Sequence, residues 1–392
     1  LGAKLEAERK CIMEPIYLDH AATTPMDEEV IQAMLPVYKK SFGNPSSVHS
    51  FGRKGRQILD EARRVMALSI NANEKEITFT SGGTEADNLA LLGTALANRQ
   101  KGNHIITTVQ EHHAVLHTAE ELETLGFDVT YIPVYENGKI RIEDVQAALT
   151  EQTILVSIMF VNNETGIIQP IKEIGELLHN HQAYFHTDAV QAYGLIDIDV
   201  KELGIDMLTV SSHKINGPKG IGFLYANEKV MLKSLQHGGE QERKRRPGTE
   251  NVAGAFGFQK AVELAMENKV SRKEQYQAYK ELFIRTLEEN GVQFEVNGDM
   301  QAAIASIINI SFPGTNVEAL LANFDLDGIA ASSGSACTAG SVEPSHVLTA
   351  MFGKDNPCTT NSVRFSFGIF NTEENVKEAA KRVSRIVKRL TA

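Results

Sequence analysis

Two segments of this 392-residue chain carry side chains whose types and settings suit covalent chemistry. Lys214, in SSHKINGPKG, follows a strand-like run and precedes a turn whose glycines and proline fix the backbone around it. A lysine there is ordinarily a surface charge, but an amine held at a sheet edge can also form a Schiff base with a carbonyl. Cys337, in SSGSACTAG, stands among residues too small to bury it. An unpaired cysteine usually behaves as a small buried hydrophobe, whereas a reactive thiol needs an accessible, electropositive setting. Its sequence neighbours alone leave both readings of Cys337 open.

Other chemistries are disfavoured by composition. Only Cys11, Cys337 and Cys358 are present, an odd number without CxxC or zinc-type spacing, which argues against a disulfide framework or a structural zinc. His113 and His117 could share a helix face, but no carboxylate or cysteine completes a plausible ligand set, so no metal is expected. A formal charge of −11 opposes general nucleic-acid binding. The run Arg243, Lys244, Arg245 and Arg246 is a local exception, readable as a solvated loop or as a guide for anionic groups or an acidic partner. No apolar run approaches about 20 residues and no secretory h-region stands near the start, so a cytoplasmic location without membrane contact is expected. The stretch before Met13 is left out of the functional reading.

The elements that must position these groups alternate between β and α from about residue 75 to 225. ITFT, HIITTV, VTYIPV, TILVSIMFV, AYFHT and MLTV are short apolar or β-branched runs, separated mostly by stretches long enough for crossover helices. That pattern predicts an α/β fold with a mainly parallel sheet covered by helices on both faces. IGFLYA follows the HKINGPKG turn too closely for an intervening helix and is expected to be antiparallel. After about residue 265 a charged helical stretch leads to SIINISF and SVRFSFG, the texture of a smaller α+β domain. The expected division is 17–265 and 266–392, with residues 1–16 packing on the second part. A terminal helix capped by Thr372 closes the chain.

Open α/β sheets place ligand groups just past the C-terminal ends of their strands. ITFT runs into SGGTEADN, where Gly83 and the following helix N-terminus offer N–H groups to an anion. Other strand ends supply His112, Asn163, Asp188 with Gln191, and Ser211, His213 and Lys214. An aspartate that keeps a pyridine nitrogen protonated, a lysine for a Schiff base, a phosphate cradle and a stacking histidine together fit pyridoxal phosphate chemistry.

The series YLDHAATTP, FGNPSSVH, SGGTEADN, QEHHAV, VNNETG, FHTDAVQ, SSHKINGPKG, RPGTEN, SSGSACT and VRFSFG resembles the motifs of NifS/IscS-type cysteine desulfurases, nearly the whole chain from Tyr17 onward. The resemblance implies a fold-type-I transferase with pyridoxal 5'-phosphate, working as a homodimer that takes sulfur from L-cysteine. It implies that Lys214 carries the cofactor, Asp188 pairs with the pyridine nitrogen, His112 stacks on the ring and Gln191 contacts its hydroxyl. Gly83, Thr84, Ser211 and His213 would cradle the phosphate, joined by Thr249 from the other subunit. Asn163 and Arg364 would hold the substrate carboxylate. Cys337 would accept the sulfur as a persulfide on a mobile loop, and His112 would serve as acid or base. The chain ends at VKRLTA without the extended tail of housekeeping members. The acceptor therefore stays open between an iron–sulfur scaffold protein, a tRNA-thiolating enzyme and another sulfur carrier. A selenocysteine lyase or an aminotransferase would share the lysine and aspartate, though an aminotransferase has no use for SSGSACT; a non-catalytic protein on the same scaffold would need neither Lys214 nor Arg364.

Overall fold

The computed structural model describes residues 14–333 and 344–392, with backbone alone at 337–338 and 341–342. Strand β1 (Ile16–Tyr17) precedes two helices, α1 (Glu28–Lys40) and α2 (Ser50–Ser69). Then come β2 (Ile77–Thr80), α3 (Gly83–Asn98), β3 (His104–Thr108), α4 (His113–Thr124), β4 (Asp128–Ile132) and α5 (Ile142–Ala148). The series closes with β5 (Thr153–Ser157), α6 (Ile171–Leu178), β6 (Tyr184–Asp188), β7 (Met207–Ser211) and β8 (Gly222–Ala226). Among the described residues these strands form a seven-stranded sheet in the order β2-β8-β7-β6-β5-β3-β4. Every residue of β2, β3, β5, β7 and β8 is buried, as expected of strands covered on both faces.

The sheet is parallel except for β8, which runs antiparallel to both neighbours, β2 and β7. IGFLYA therefore lies where its short preceding turn requires. The first residue of β8, Gly222, has a steric reason: a Cβ there would sit 2.5 Å from the Val210 carbonyl oxygen and 2.9 Å from Gly82 Cα. Only glycine lets this strand pass so close to the turn that opens α3. One connection departs from the expected pattern, because β6 crosses to its parallel neighbour β7 through turns without an intervening helix.

Helix α7 (Val252–Glu289) runs unbroken for 38 residues across the boundary anticipated at 265/266. Ala255, Phe258, Val262 and Ala265 on its first half join the core against the large sheet. Tyr276, Tyr279, Phe283 and Leu287 on its second half join a separate core. That second core lies against an antiparallel sheet of β9 (Glu295–Val296), β10 (Ile307–Ser311) and β14 (Ser362–Ser366), in the order β14-β10-β9. Phe283 is fully buried with its ring 4.7 Å from that of Phe365; a side chain of that size contributes about 2–3 kcal/mol by burial. Between the two cores, the buried Lys280 donates to the Ile304 carbonyl at 2.5 Å.

Short elements complete the smaller part: α8 (Val317–Leu326), β11 (Ile329–Ala330), the paired β12 (Cys337–Thr338) and β13 (Ser341–Val342), α9 (His346–Phe352), α10 (Cys358–Asn361) and α11 (Glu373–Thr391). β1 pairs with β11, so Ile16 and Leu18 pack in the second core. Thr372 caps α11, with Glu373 and Glu374 in its first turn and Lys388 and Arg389 in its last, charges that suit the helix dipole.

Candidate active site

The C-terminal ends of the parallel strands open onto a cleft of about 400 Å3. Its lining brings together Gly83, Thr84, His112, Asn163, Asp188, Gln191, Ser211, His213, Lys214 and Arg364. These residues arrive on separate strand ends and, for Arg364, from the smaller sheet. Sequence separation alone could not have shown that Arg364 enters the same space.

At one end, α3 begins at Gly83 and Thr84 beside Ser211, the last residue of β7. A Cβ on Gly83 would lie 3.0 Å from Val190 Cγ2, so a larger residue would crowd the turn. The exposed N–H groups of this 16-residue helix make an anion cradle. His213 stands beside it with Nδ1 3.0 Å from Thr23 Oγ1. Burial, with the Lys214 and Lys219 cations, lowers its pKa to about 4, so it offers a hydrogen bond rather than a charge.

Asp188 ends β6 and accepts a hydrogen bond from the Val190 N–H at 2.9 Å. Burial pushes its pKa up, while that N–H and the Lys214 cation favour the ionised form. Lys214 sits on the single turn after β7, where its ammonium donates to the carbonyls of Ala21 and, at 2.8 Å, of Ala22. Burial first and the Arg364 cation second lower its pKa to about 8, against the opposing pull of Asp188 and Asp19. His112 caps α4, its Nδ1 accepting from the Ala114 N–H at 3.1 Å. Burial, Lys214 and the neighbouring histidines lower its pKa to about 4. The neutral ring therefore carries its proton on Nε2, since Nδ1 is an acceptor.

The opposite side of the cleft is built around the turn after β5. Asn162 Oδ1 accepts from the N–H groups of Glu164 and Thr165, both at 2.9 Å, and this fixes the backbone at Asn163. Arg364 Nη1 donates to the Asn163 carbonyl at 2.9 Å. Glu164 is buried; Ser345 donates to its Oε2 at 2.5 Å, and His346 Nδ1 lies 3.9 Å from its Oε1.

Thr249 is exposed and does not line the cleft of its own chain. The Cys337 backbone pairs with Val342, but its side chain lies outside the described residues, as does Cys11. Cys358 is buried, and burial raises its thiol pKa to about 11, so it is inert. The basic run is largely occupied locally. Arg246 pairs with Glu85 at 2.8 Å, Lys244 with Glu240 at 3.0 Å, and Arg243 donates to the Glu74 and Lys75 carbonyls.

One acid of the cleft lining was not singled out from the sequence. Asp87 lines the cleft, buried to 1% exposure, with Oδ1 lacking a hydrogen-bond partner and 3.7 Å from His186 Nε2. Glu111 is fully buried and accepts from Thr108 and from the Met159 N–H through one oxygen, the other being unpartnered. Burial, reinforced by Asp188, raises both carboxyl pKa values. Both residues lie within the SGGTEADN and QEHHAV motifs, but no periodicity distinguishes a buried acid from a solvated one. Among the described residues no three side chains form a metal-ligand group, although His113 stacks on His117.

A mainly parallel α/β sheet thus gathers at its strand ends a buried aspartate, a lysine of lowered pKa and an anion cradle. The family model "Aminotransferase class-V" matches residues 16–378. The chain is 60% identical over 379 residues to "Putative cysteine desulfurase IscS 1" of Bacillus subtilis, covering 97% of this chain and 100% of that protein. It is 48% identical over 375 residues to a cysteine desulfurase IscS of Clostridium botulinum, covering 95% and 94% respectively. A solved NifS-like protein superposes with a TM-score of 0.89 at 33% identity, covering 96% of this chain and all of that one. The chain belongs to the cysteine desulfurases within the class-V aminotransferases, a pyridoxal phosphate-dependent family. Among the described residues no helix is long and apolar enough to cross a membrane.

Proposed function

We propose that this protein removes sulfur from L-cysteine, giving L-alanine and a persulfide on Cys337, with pyridoxal phosphate bound in the cleft. The observation that carries this reading is the meeting of Lys214, Asp188, His112 and Arg364 in one cleft. The donor set fits the cofactor: a cradle that a Cβ would crowd at Gly83, with a buried aspartate and an amine of lowered pKa in the same cleft. Gly83, Thr84, Ser211 and His213 would hold its phosphate, Asp188 its ring nitrogen, Gln191 its hydroxyl, His112 its face and Lys214 its aldehyde carbon, with Thr249 supplied by a second copy. When bound, the cofactor withdraws electrons from the substrate α-carbon.

The chain's own groups do the rest. Arg364 and Asn163 hold the substrate carboxylate and turn its α-hydrogen toward Lys214, whose neutral amine takes the proton. His112, protonated on Nε2, can give and recover a proton near the sulfur. The Cys337 thiolate forms a bond to the substrate sulfur as the carbon–sulfur bond breaks. The released electron pair stays with the β-carbon, which takes up a proton, and Lys214 returns its proton to the α-carbon to complete L-alanine. In balance, L-cysteine and the enzyme thiol give L-alanine and the enzyme persulfide.

The location is proposed to be cytoplasmic, and the acceptor a carrier for iron–sulfur cluster assembly or tRNA thiolation. Incubation with L-cysteine and each candidate acceptor, following alanine release and the position of the sulfur, tests the whole reading. Alanine formed with sulfur on neither Cys337 nor an acceptor would overturn it.

A further inference from the structure

Arg364 is 4% exposed at the centre of β14 and is engaged on two sides. Nη2 donates to Asp19 Oδ1 at 2.6 Å and Nη1 to the Asn163 carbonyl, while Nε is buried without a hydrogen-bond partner. The backbone of Asp19 is held in its turn. It bridges Ser366, two residues beyond Arg364, and its carbonyl accepts from the Tyr17 hydroxyl and the Ala22 N–H, both at 3.0 Å. A second acid, Glu164, also feels the Arg364 charge, but burial pushes its carboxyl toward the neutral form. Asp19, with its side chain 20% exposed, is the acid in direct contact with the guanidinium.

A carboxylate arriving at Arg364 therefore meets a guanidinium that already faces one. Attraction to the cation is offset by repulsion from Asp19, while the orientation of the guanidinium is retained. We propose that Asp19 is a positioning residue that orients Arg364 and moderates its charge, so that amino-acid carboxylates bind without being retained. The inference rests on Arg364 being the carboxylate site of the proposed function. It has a kinetic rationale: L-cysteine and L-alanine carry the same carboxylate, and tighter binding of both would slow product release without lowering the chemical barrier.

Asp19→Asn removes the charge and keeps an oxygen for Nη2. The probe is 3-mercaptopropionate, which has the carboxylate and thiol of L-cysteine but no amine to react with the cofactor. Calorimetry on the pyridoxal phosphate-loaded protein should show tighter binding to Asp19→Asn by about tenfold, the scale of one nearby charge in a partly screened site. Structural damage would weaken binding, so the direction separates the two causes. Unchanged or weaker binding overturns the role of Asp19. Should Asp19→Asn fail to fold, Asp19→Ser also removes the charge and is read in the same way. Arg364→Met serves as the reference: if it binds the probe as well as the parent does, the carboxylate assignment itself is wrong. If Arg364→Met weakens binding while the Asp19 variants fail to tighten it, only this inference is lost.

Discussion

Lys214 and Gln191 converge on a single acceptor, the carbonyl of Ala21. Gln191 Nε2 donates to it at 2.9 Å, and the Lys214 ammonium donates to it and to the neighbouring Ala22 carbonyl. The turn after β1 thus holds the amine at the cleft. Burial lowers the Lys214 pKa to about 8, so steps that need the neutral amine should speed up as pH rises toward 8 and then level off. Lys214→Ala should lower alanine production by about a thousandfold. After borohydride reduction, the peptide map of the unaltered protein should carry the cofactor on Lys214; a labelled lysine elsewhere in its place would refute the assignment.

Cys337→Ala should still bind pyridoxal phosphate and respond spectrally to L-cysteine, because the residues proposed to hold the ring lie on the strand ends. It should gain no sulfur by intact mass, and alanine release should collapse. Serine at this position should fail equally, its hydroxyl being unable to accept sulfur. Alanine release at the parent rate from Cys337→Ala would show that the thiol is structural.

Burial of Glu111 raises its pKa from the ordinary 4.5 to about 8. A carboxyl raised in the folded state favours folding most at low pH, and its contribution declines as pH rises from about 4.5 through about 8. Glu111→Gln keeps an oxygen for the Met159 N–H and cannot ionise. Its melting temperature should therefore fall less than the parent's between pH 5 and about 8.5. Parallel curves for the two proteins would remove Glu111 from the pH dependence.

Arg63 meets Glu242 through two bonds of 2.7 and 2.6 Å, and Glu242 also accepts from the Phe79 N–H. This buried pair anchors a segment in which Glu242, Arg243 and Lys244 have φ of 46°, 55° and 66°, the left-handed region that side chains disfavour. Arg63→Met should cost about 3–5 kcal/mol in chemical denaturation, because it leaves a carboxylate buried without its partner. A loss below about 1 kcal/mol would place the pair among weak surface-type bridges.

The segment leads into RPGTEN, so Thr249 is presented outward, away from its own cleft. If a second copy uses it, mixing inactive Lys214→Ala with impaired Thr249→Ala should restore activity in heterodimers that carry one intact site. Continued inactivity despite demonstrated subunit exchange would mean that each site is built from one chain.

The sequence by itself determined the strands of the large sheet and which polar residues stand at their ends. Hydrophobic runs, turn residues and caps act over a few positions, so ITFT, MLTV, the antiparallel IGFLYA and the Thr372 cap were all legible. It set a boundary at 265/266 but did not show that α7 serves both cores without a break, because a helix of continuous local pattern carries no mark of which core each turn will meet. Nor did it reveal that Asp19 faces Arg364 across 345 positions, or Glu164 faces Ser345 across 181. The protonation states of Lys214, Glu111 and His112 belong to the tertiary structure for the same reason. They depend on loss of water and on charges brought close by folding, and neither quantity is a property of neighbouring residues in the chain.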